Sequence, residues 1–272
     1  MIKLEHAVFA NADQMEFIIQ GMRNPMNSWE KSDSERKYEN IRDSEGYLAL
    51  GPNDHSLMQR LAKAGTDHRK FMRMMPVYVR ITAPLYWWKE FDTYKVGTVA
   101  NSCSTMHKIQ EKEFTLEDFS CEHLIGYESF AFPLGGGWRG LDAIEVLDCT
   151  IEALNNARTR YLVTKDKKYW WQMIHLLPSS YNQTRNVMMN YEVLKNIYES
   201  RKNHKLDEWK EFCKWIETVP YSEVIVGIQT EDVSLSRPIK EQEMINVYGQ
   251  LIPKKDIEKH GDYNNAVFNG EK

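Results

Sequence analysis

LLPSSYNQTRNVMMNYEVLKNIYESRKNHKLDEW, Leu176–Trp209, is the stretch whose reading decides the fold. It opens on an apolar run that breaks at Pro178, because proline lacks the N–H a helix needs and disfavours helical backbone before it. Asn190, Leu194, Ile197 and Arg201 then recur at i, i+4, i+7 and i+11. That spacing puts them on one face of a helix from about Met189 to Arg201. A second helix, about Leu206–Glu217, is set to bury Leu206, Trp209, Phe212, Cys213 and Ile216, and Pro220 ends it. The first helix face is apolar with an amide at one end and a guanidinium at the other. Both ends need partners, from the protein or from a polar ligand.

Upstream, LEHAVFA, Leu4–Ala10, reads as a strand and ADQMEFIIQGM as a helix that Asn11 or Asp13 can cap. Asn24–Glu45 is polar and charged, the composition of a loop or a lid. A helix over Asn53–Ala64 stops at Gly65. Phe71–Ile81 is β-rich and alternates after Pro76, so its second half reads as a strand. Pro84 begins a helix, PLYWWKEFDTYKV, and Thr115 begins another with Glu117 and Asp118 in its first turn. PLGGGWRG, Pro133–Gly140, reads as a flexible turn, and lacks the Lys-Ser/Thr ending of a phosphate-binding loop. Helices follow at about Leu141–Val163 and Lys167–Leu176, and the charged tail after Ile252 reads as frayed. No repeat or low-complexity linker divides the 272 residues, which gives a single α+β domain: one mixed sheet with a majority of helices.

Composition narrows the function classes. A net charge of −4 offers no footprint for a phosphate-tracking nucleic-acid binder. No apolar stretch approaches the ~18 residues of a membrane span. MIKLEHAVFANADQ has no basic region leading into an apolar run, so no signal peptide is expected. The cysteines, Cys103, Cys121, Cys149 and Cys213, are scattered without a C-x-x-C pair, which argues against zinc and for a reducing compartment, the cytoplasm. Eight Trp and fourteen Tyr suit a well-filled core or a stacking site for a planar ligand.

The order Leu177-Pro178, Asn190, Arg201, His204 and Glu208 resembles the C-terminal half of the flavin-dependent thymidylate synthases. That family reads LP, an Asn opening a helix, Leu-Arg, then His-Ala-Gln-x-Glu-Ile. A second region, with Asp54, Leu57, His68 and Phe71, resembles the family's D-x-x-L…G-H-x-S-P-F-E-H, its last His falling near Arg73. Asn101 and Ser104 recover the Asn and second Ser of its signature R-H-R-x-x-S-x-N-E-x-S-x-R-Y. The rest of the signature is replaced: Tyr94, Lys95 and Val96 stand for R-H-R, Ser102 for the Glu, Met106 and His107 for the final Arg-Tyr. Glu192 stands where the family has the Arg of its N-x-R triplet. The resemblance implies the family's fold, a homotetramer with active sites between subunits, and reductive methylation of deoxyuridylate with methylenetetrahydrofolate and reduced FAD.

Carried over residue by residue, the resemblance makes Arg185 and Arg201 the catalytic anion clamps; Thr184 holds the family's position after LP and Arg185 is one place along. His68, Asn190 and His204 become cofactor contacts, and Arg23, Asn101, Ser102 and Ser104 substrate contacts. Arg201, Asn190 and Ser104 are expected to line one pocket. Each residue also has a plainer reading: a surface ion pair for Arg185, a helix cap for Asn190, a helix-surface pair for His204 and Glu208, a solvated loop for Arg23 and Ser28. His204 and Glu208 lack a third ligand, so no metal is expected. Two functions follow: a methylating enzyme on pyrimidine deoxynucleotides, or an inactive nucleotide-binding or regulatory protein on the same scaffold. A third, an interaction module without a small ligand, is weaker.

Overall fold

The structure is a computed structural model that describes residues 2–38, 46–127, 130–134, 137–227, 244–247 and 250–253. The strands are β1 (Lys3–Phe9), β2 (Glu35–Lys37), β3 (Tyr47–Ala49), β4 (Pro76–Pro84), β5 (Val99–Ser102), β6 (Phe130–Leu134), β7 (Gly137–Leu141), β8 (Asn182–Asn190), β9 (Met244–Val247) and β10 (Gln250–Pro253). The helices are α1 (Ala12–Arg23), α2 (Pro52–Lys63), α3 (Lys70–Met74), α4 (Leu85–Phe91), α5 (Ala143–Thr164), α6 (Lys167–Leu176), α7 (Tyr191–Arg201), α8 (Asp207–Thr218) and α9 (Glu223–Val226).

A four-stranded sheet in the order β1-β4-β8-β5 organises the molecule. The α+β class expected from the sequence is the class observed. Within it, every pairing in this sheet is antiparallel, so the sheet is not mixed in strand direction. The sequence reading passed over β8, the strand that pairs with both β4 and β5. Its burial alternates, with Gln183, Val187 and Met189 inward, but only two of those are apolar and the polar run NQTRN masks the period. The other departures are local. The second half of Phe71–Ile81 is the strand expected, within β4, while its β-rich first half lies in the helix Lys70–Met74; Thr115 opens a single 3₁₀ turn, Leu116–Asp118. PLGGGWRG lies within the β6–β7 hairpin, with residues 135 and 136 outside the described set. Asn24–Glu45 holds two 3₁₀ turns and β2, which pairs with β3; residues 39–45 and the tail from 254 lie outside the described residues.

One face of the sheet packs into the main core, where Val77, Val79, Ile81, Ala83, Val187 and Met189 meet α1 to α4 and α7 to α9. Its densest part is aromatic: Trp87 has Trp88, Phe91, Trp209 and Phe212 at ring-centroid distances of 4.7–5.7 Å. Such pairs add about 0.5–1.5 kcal/mol each beyond the area they bury, which fixes α4 against α8. A smaller core lies under α5 and α6, with Leu147, Leu154 and Met173 against Ile109, Phe114 and Phe119. Among the described residues, no element covers the other sheet face. Val8, Tyr78, Met188 and Val99 are exposed and in register across all four strands.

Candidate functional site

The turn from β8 into α7 is made by Asn190, whose side-chain oxygen accepts from the Val193 N–H at 3.1 Å. This cap aims α7 so that its last turn, with Arg201, reaches the carboxyl end of α4. Gly97 makes the close approach to the cap possible: its φ is +80°, and a Cβ there would lie 2.7 Å from Asn190 Nδ2.

Arg185 and Arg201, from different elements, each bond a carboxylate at that end of α4. Arg201 Nη1 donates to Glu90 Oε2 at 2.5 Å and Nε to the Tyr94 hydroxyl at 3.0 Å. Its guanidinium lies 4.9 Å from the Trp209 ring centre, and Trp209 Nε1 donates to the same Glu90 oxygen at 2.8 Å. His204 Nε2 is 3.5 Å from it. Arg185 Nη1 donates to Asp92 Oδ1 at 2.7 Å, and Nε to Gln183 Oε1 at 3.0 Å. Its guanidinium stacks on Trp88, 4.1 Å from the ring centre. Gln183 in turn donates to the Cys103 carbonyl at 2.7 Å. Two cations, each backed by an indole face, thus meet two carboxylates two residues apart in the chain. Ser102 is the cross-strand partner of Arg185 and shares its side of the sheet, whereas Asn101 opposes Asn186 on the open side.

The other expected contacts lie elsewhere. Ser104 Oγ accepts from the N–H groups of Met106 and His107, at 3.3 and 2.9 Å, and so closes a turn. Asn190 and Ser104 sit toward opposite ends of β8, about 20 Å apart at ~3.3 Å per residue. The single pocket expected for Arg201, Asn190 and Ser104 is therefore not formed within one chain. Arg23 is enclosed. Its Nε donates to Asp54 at 2.6 Å, Nη1 to the Ser28 carbonyl at 3.2 Å and Nη2 to the Lys31 carbonyl at 3.0 Å. All three nitrogens of this buried guanidinium face protein acceptors, so the substrate contact expected of Arg23 gives way to a structural one. Asp54 also takes the hydroxyls of Ser32 and Ser34, at 2.8 and 2.7 Å. Burial alone would raise its pKa; Ser34, Ser32 and Arg23 outweigh that and hold it below its ordinary value.

His68 is exposed on the turn between α2 and α3. Next to it, Arg69 donates to Glu192 at 3.2 Å and to Asn196 at 3.2 Å, while Arg73 pairs with both Glu192 oxygens. The pKa of Glu192, which burial would raise, is lowered by Arg73 and Arg69. The carboxylate that would repel a phosphate is thus already neutralised, and Arg73 remains 48% exposed. Sequence reasoning missed Glu90, Asp92, Trp88 and Trp209 as the partners of the two arginines. The available signal was WWKEFD, Trp87–Asp92, two indoles and two acids closing a short helix. Among the described residues no group of three or more His, Cys, Asp or Glu is placed to hold a metal ion, and no helix is long and apolar enough to cross a membrane.

No protein-family model and no curated protein matches the chain. Solved structures do. Thymidylate synthase X (ThyX) of Helicobacter pylori, solved with FAD and dUMP, superposes with a TM-score of 0.52 at 17% identity, over 82% of this chain and 94% of that one. The UMP/dUMP methylase PolB of Streptomyces cacaoi, solved with 5-Br dUMP, gives 0.52 at 13% identity, over 80% and 89%. These likenesses show the fold, a ThyX-like α+β architecture.

Proposed function

We propose that the chain is a single-domain, flavin-dependent, thymidylate-synthase-like methyltransferase that binds a pyrimidine deoxynucleotide at the carboxyl end of α4. The observation that carries this reading is that Arg185 and Arg201, from separate elements and each stacked on an indole, both pair with carboxylates at the end of α4. Their carboxylate partners are replaceable. Glu90 and Asp92 are partly exposed, and exposed ion pairs contribute about 0–1 kcal/mol, whereas a phosphate offers bidentate, charge-assisted bonds. Ser102 stands beside Arg185 to bond the same anion, and half-buried Tyr94 offers a ring to a flat base, while buried Trp209 backs Arg201 from below.

The residues around Glu192 fit the pyrophosphate of FAD in charge, two guanidiniums against one carboxylate, with His68 and Asn190 as further contacts and His204 at the far end of α7. FAD, when bound, supplies the hydride and methylenetetrahydrofolate the carbon; the chain supplies placement and exclusion of water. Because Asn190 and Ser104 are far apart in one chain, a complete site draws on further copies. The open sheet face with Val8, Tyr78, Met188 and Val99 supports a homotetramer. The free thiols suit the cytoplasm.

A second reading, nucleotide binding without catalysis, is favoured by one specific feature. Tyr94, Lys95 and Val96 replace the basic signature, and both clamp arginines are already ion-paired. Flavin absorbance of the purified protein and conversion of deoxyuridylate to thymidylate with methylenetetrahydrofolate and a reductant decide between them. Colourless, folded protein that binds deoxyuridylate without turnover removes the enzymatic reading; turnover removes the second.

A further inference from the structure

The helical hairpin of α5 and α6 ends in a charge run that the nucleotide reading leaves unused. From Arg158 to Lys168 the chain carries Arg158, Arg160, Lys165, Lys167 and Lys168 against Asp166 alone, a formal +4 in a chain of −4. Arg158 turns back to the Gln110 carbonyl and Lys168 pairs with Asp166. Arg160, Lys165 and Lys167 have no acidic partner among the described residues; they lie over the rings of Tyr169, Tyr161 and the Trp170–Trp171 pair, at 5.6–5.9 Å. The adjoining loop contributes matched pairs, Lys108 with Glu111 and Lys112 with Asp118. Glu113 and Glu117 flank Phe114, which bonds Asn155, about 12 Å down α5 from Val163. At the same tip, aliphatic groups face water: Val163 is 79% exposed and Leu162 37%, with Trp171 at 40% one turn into α6.

We propose that this tip docks onto an anionic lipid surface, its lysines and arginines against the headgroups and Val163, Leu162 and Trp171 entering the interface. Basic side chains around exposed aliphatic and indole groups are the composition that such binding needs. Two other occupants fit less well. Nucleic acid would stack bases on open rings, but here cations cover Tyr161, Tyr169, Trp170 and Trp171, and Val163 and Leu162 offer no stacking face. A second copy docked tip to tip would bring +4 against +4. The sequence reading expected no membrane partner because no segment spans a bilayer; a peripheral tip needs no span.

The test is co-sedimentation of the full chain with vesicles of phosphatidylcholine alone or mixed with phosphatidylserine, at about 0.1 M salt and again at about 1 M, where the screening length falls from about 10 to 3 Å. Binding is expected only to the phosphatidylserine vesicles and is expected to fade at high salt. The triple variant Lys165→Gln, Lys167→Gln, Lys168→Gln is expected to weaken it roughly 100-fold. Val163→Asn, which keeps the charge, is expected to weaken it roughly tenfold. All four residues are exposed, and circular dichroism checks that the variants fold. Three results overturn the proposal: no pelleting with anionic vesicles, equal pelleting with neutral ones, or a triple variant that loses binding to a single-stranded oligonucleotide while keeping its hold on vesicles. A change of oligomeric state on Val163→Asn with vesicle binding unchanged also overturns it, in favour of a second copy.

Discussion

Arg23 and Arg201 each end a helix and each bond a carboxylate, yet their surroundings give them opposite capacities. Arg23 is sealed between α1, α2 and the 28–34 segment, every nitrogen satisfied by protein. Arg201 is held by Glu90 and Tyr94 at an edge that solvent reaches, over an indole that does not compete for its N–H groups. A charge paired inside the protein cannot be lent to a ligand, because breaking the pair strands an ion in low dielectric. A charge paired at a rim can exchange one anion for another at small cost.

Removing one carboxylate from each region is the sharpest way to break that contrast. Asp54→Ala leaves Arg23 buried and unpaired, and should cost about 3–5 kcal/mol in urea unfolding. Glu90→Ala should cost about 1–2 kcal/mol, part of it the Trp209 N–H left without an acceptor. Equal losses would erase the distinction between the two arginines.

The next largest effect is on binding. Arg201→Gln should weaken deoxyuridylate at least roughly tenfold, the worth of one charge-assisted bond. Glu90→Gln should strengthen it severalfold by removing the internal competitor; titration calorimetry reads both.

Acid sensitivity separates the regions again. The Asp54 carboxyl titrates below the ordinary aspartate range in the folded protein, so the stability it contributes is full above that range and drains away as pH falls through the lower, folded value. Glu192 adds to the same acid limb. Urea midpoints measured downward from about pH 5 should fall in the wild type and fall less in Asp54→Asn, whose starting stability is lower.

The smallest effect is at Arg185. Arg185→Lys keeps the charge and the bond to Asp92 but loses the planar stack on Trp88, and should cost about 0.5–1 kcal/mol in thermal unfolding.

The helices were legible because their signals are local: Asn11, Asp142, Asp166 and Asn190 each cap a helix within a residue or two of where the apolar period begins. β8 was not, because what makes NQTRNVMMN a strand is the β4 edge it completes, and Gln183 and Arg185 spend their polarity on partners 80 or more residues away in the chain. The candidate site shows the same limit. Arg185 and Arg201 stood out by type and spacing, but the residues that define their state, Glu90, Asp92, Trp88 and Trp209, become neighbours only once α4 packs on α8. Arg23 misled for the converse reason: an arginine in a polar loop looks available until Asp54, 31 residues on, closes over it.

Calorimetric titration of deoxyuridylate into the purified full chain, alongside Arg201→Gln with matched melting temperature, tests the nucleotide reading most directly. The expected result is saturable binding by the wild type and at least roughly tenfold weaker binding by the variant. No binding heat from folded wild-type protein, or the same affinity in both, would contradict it.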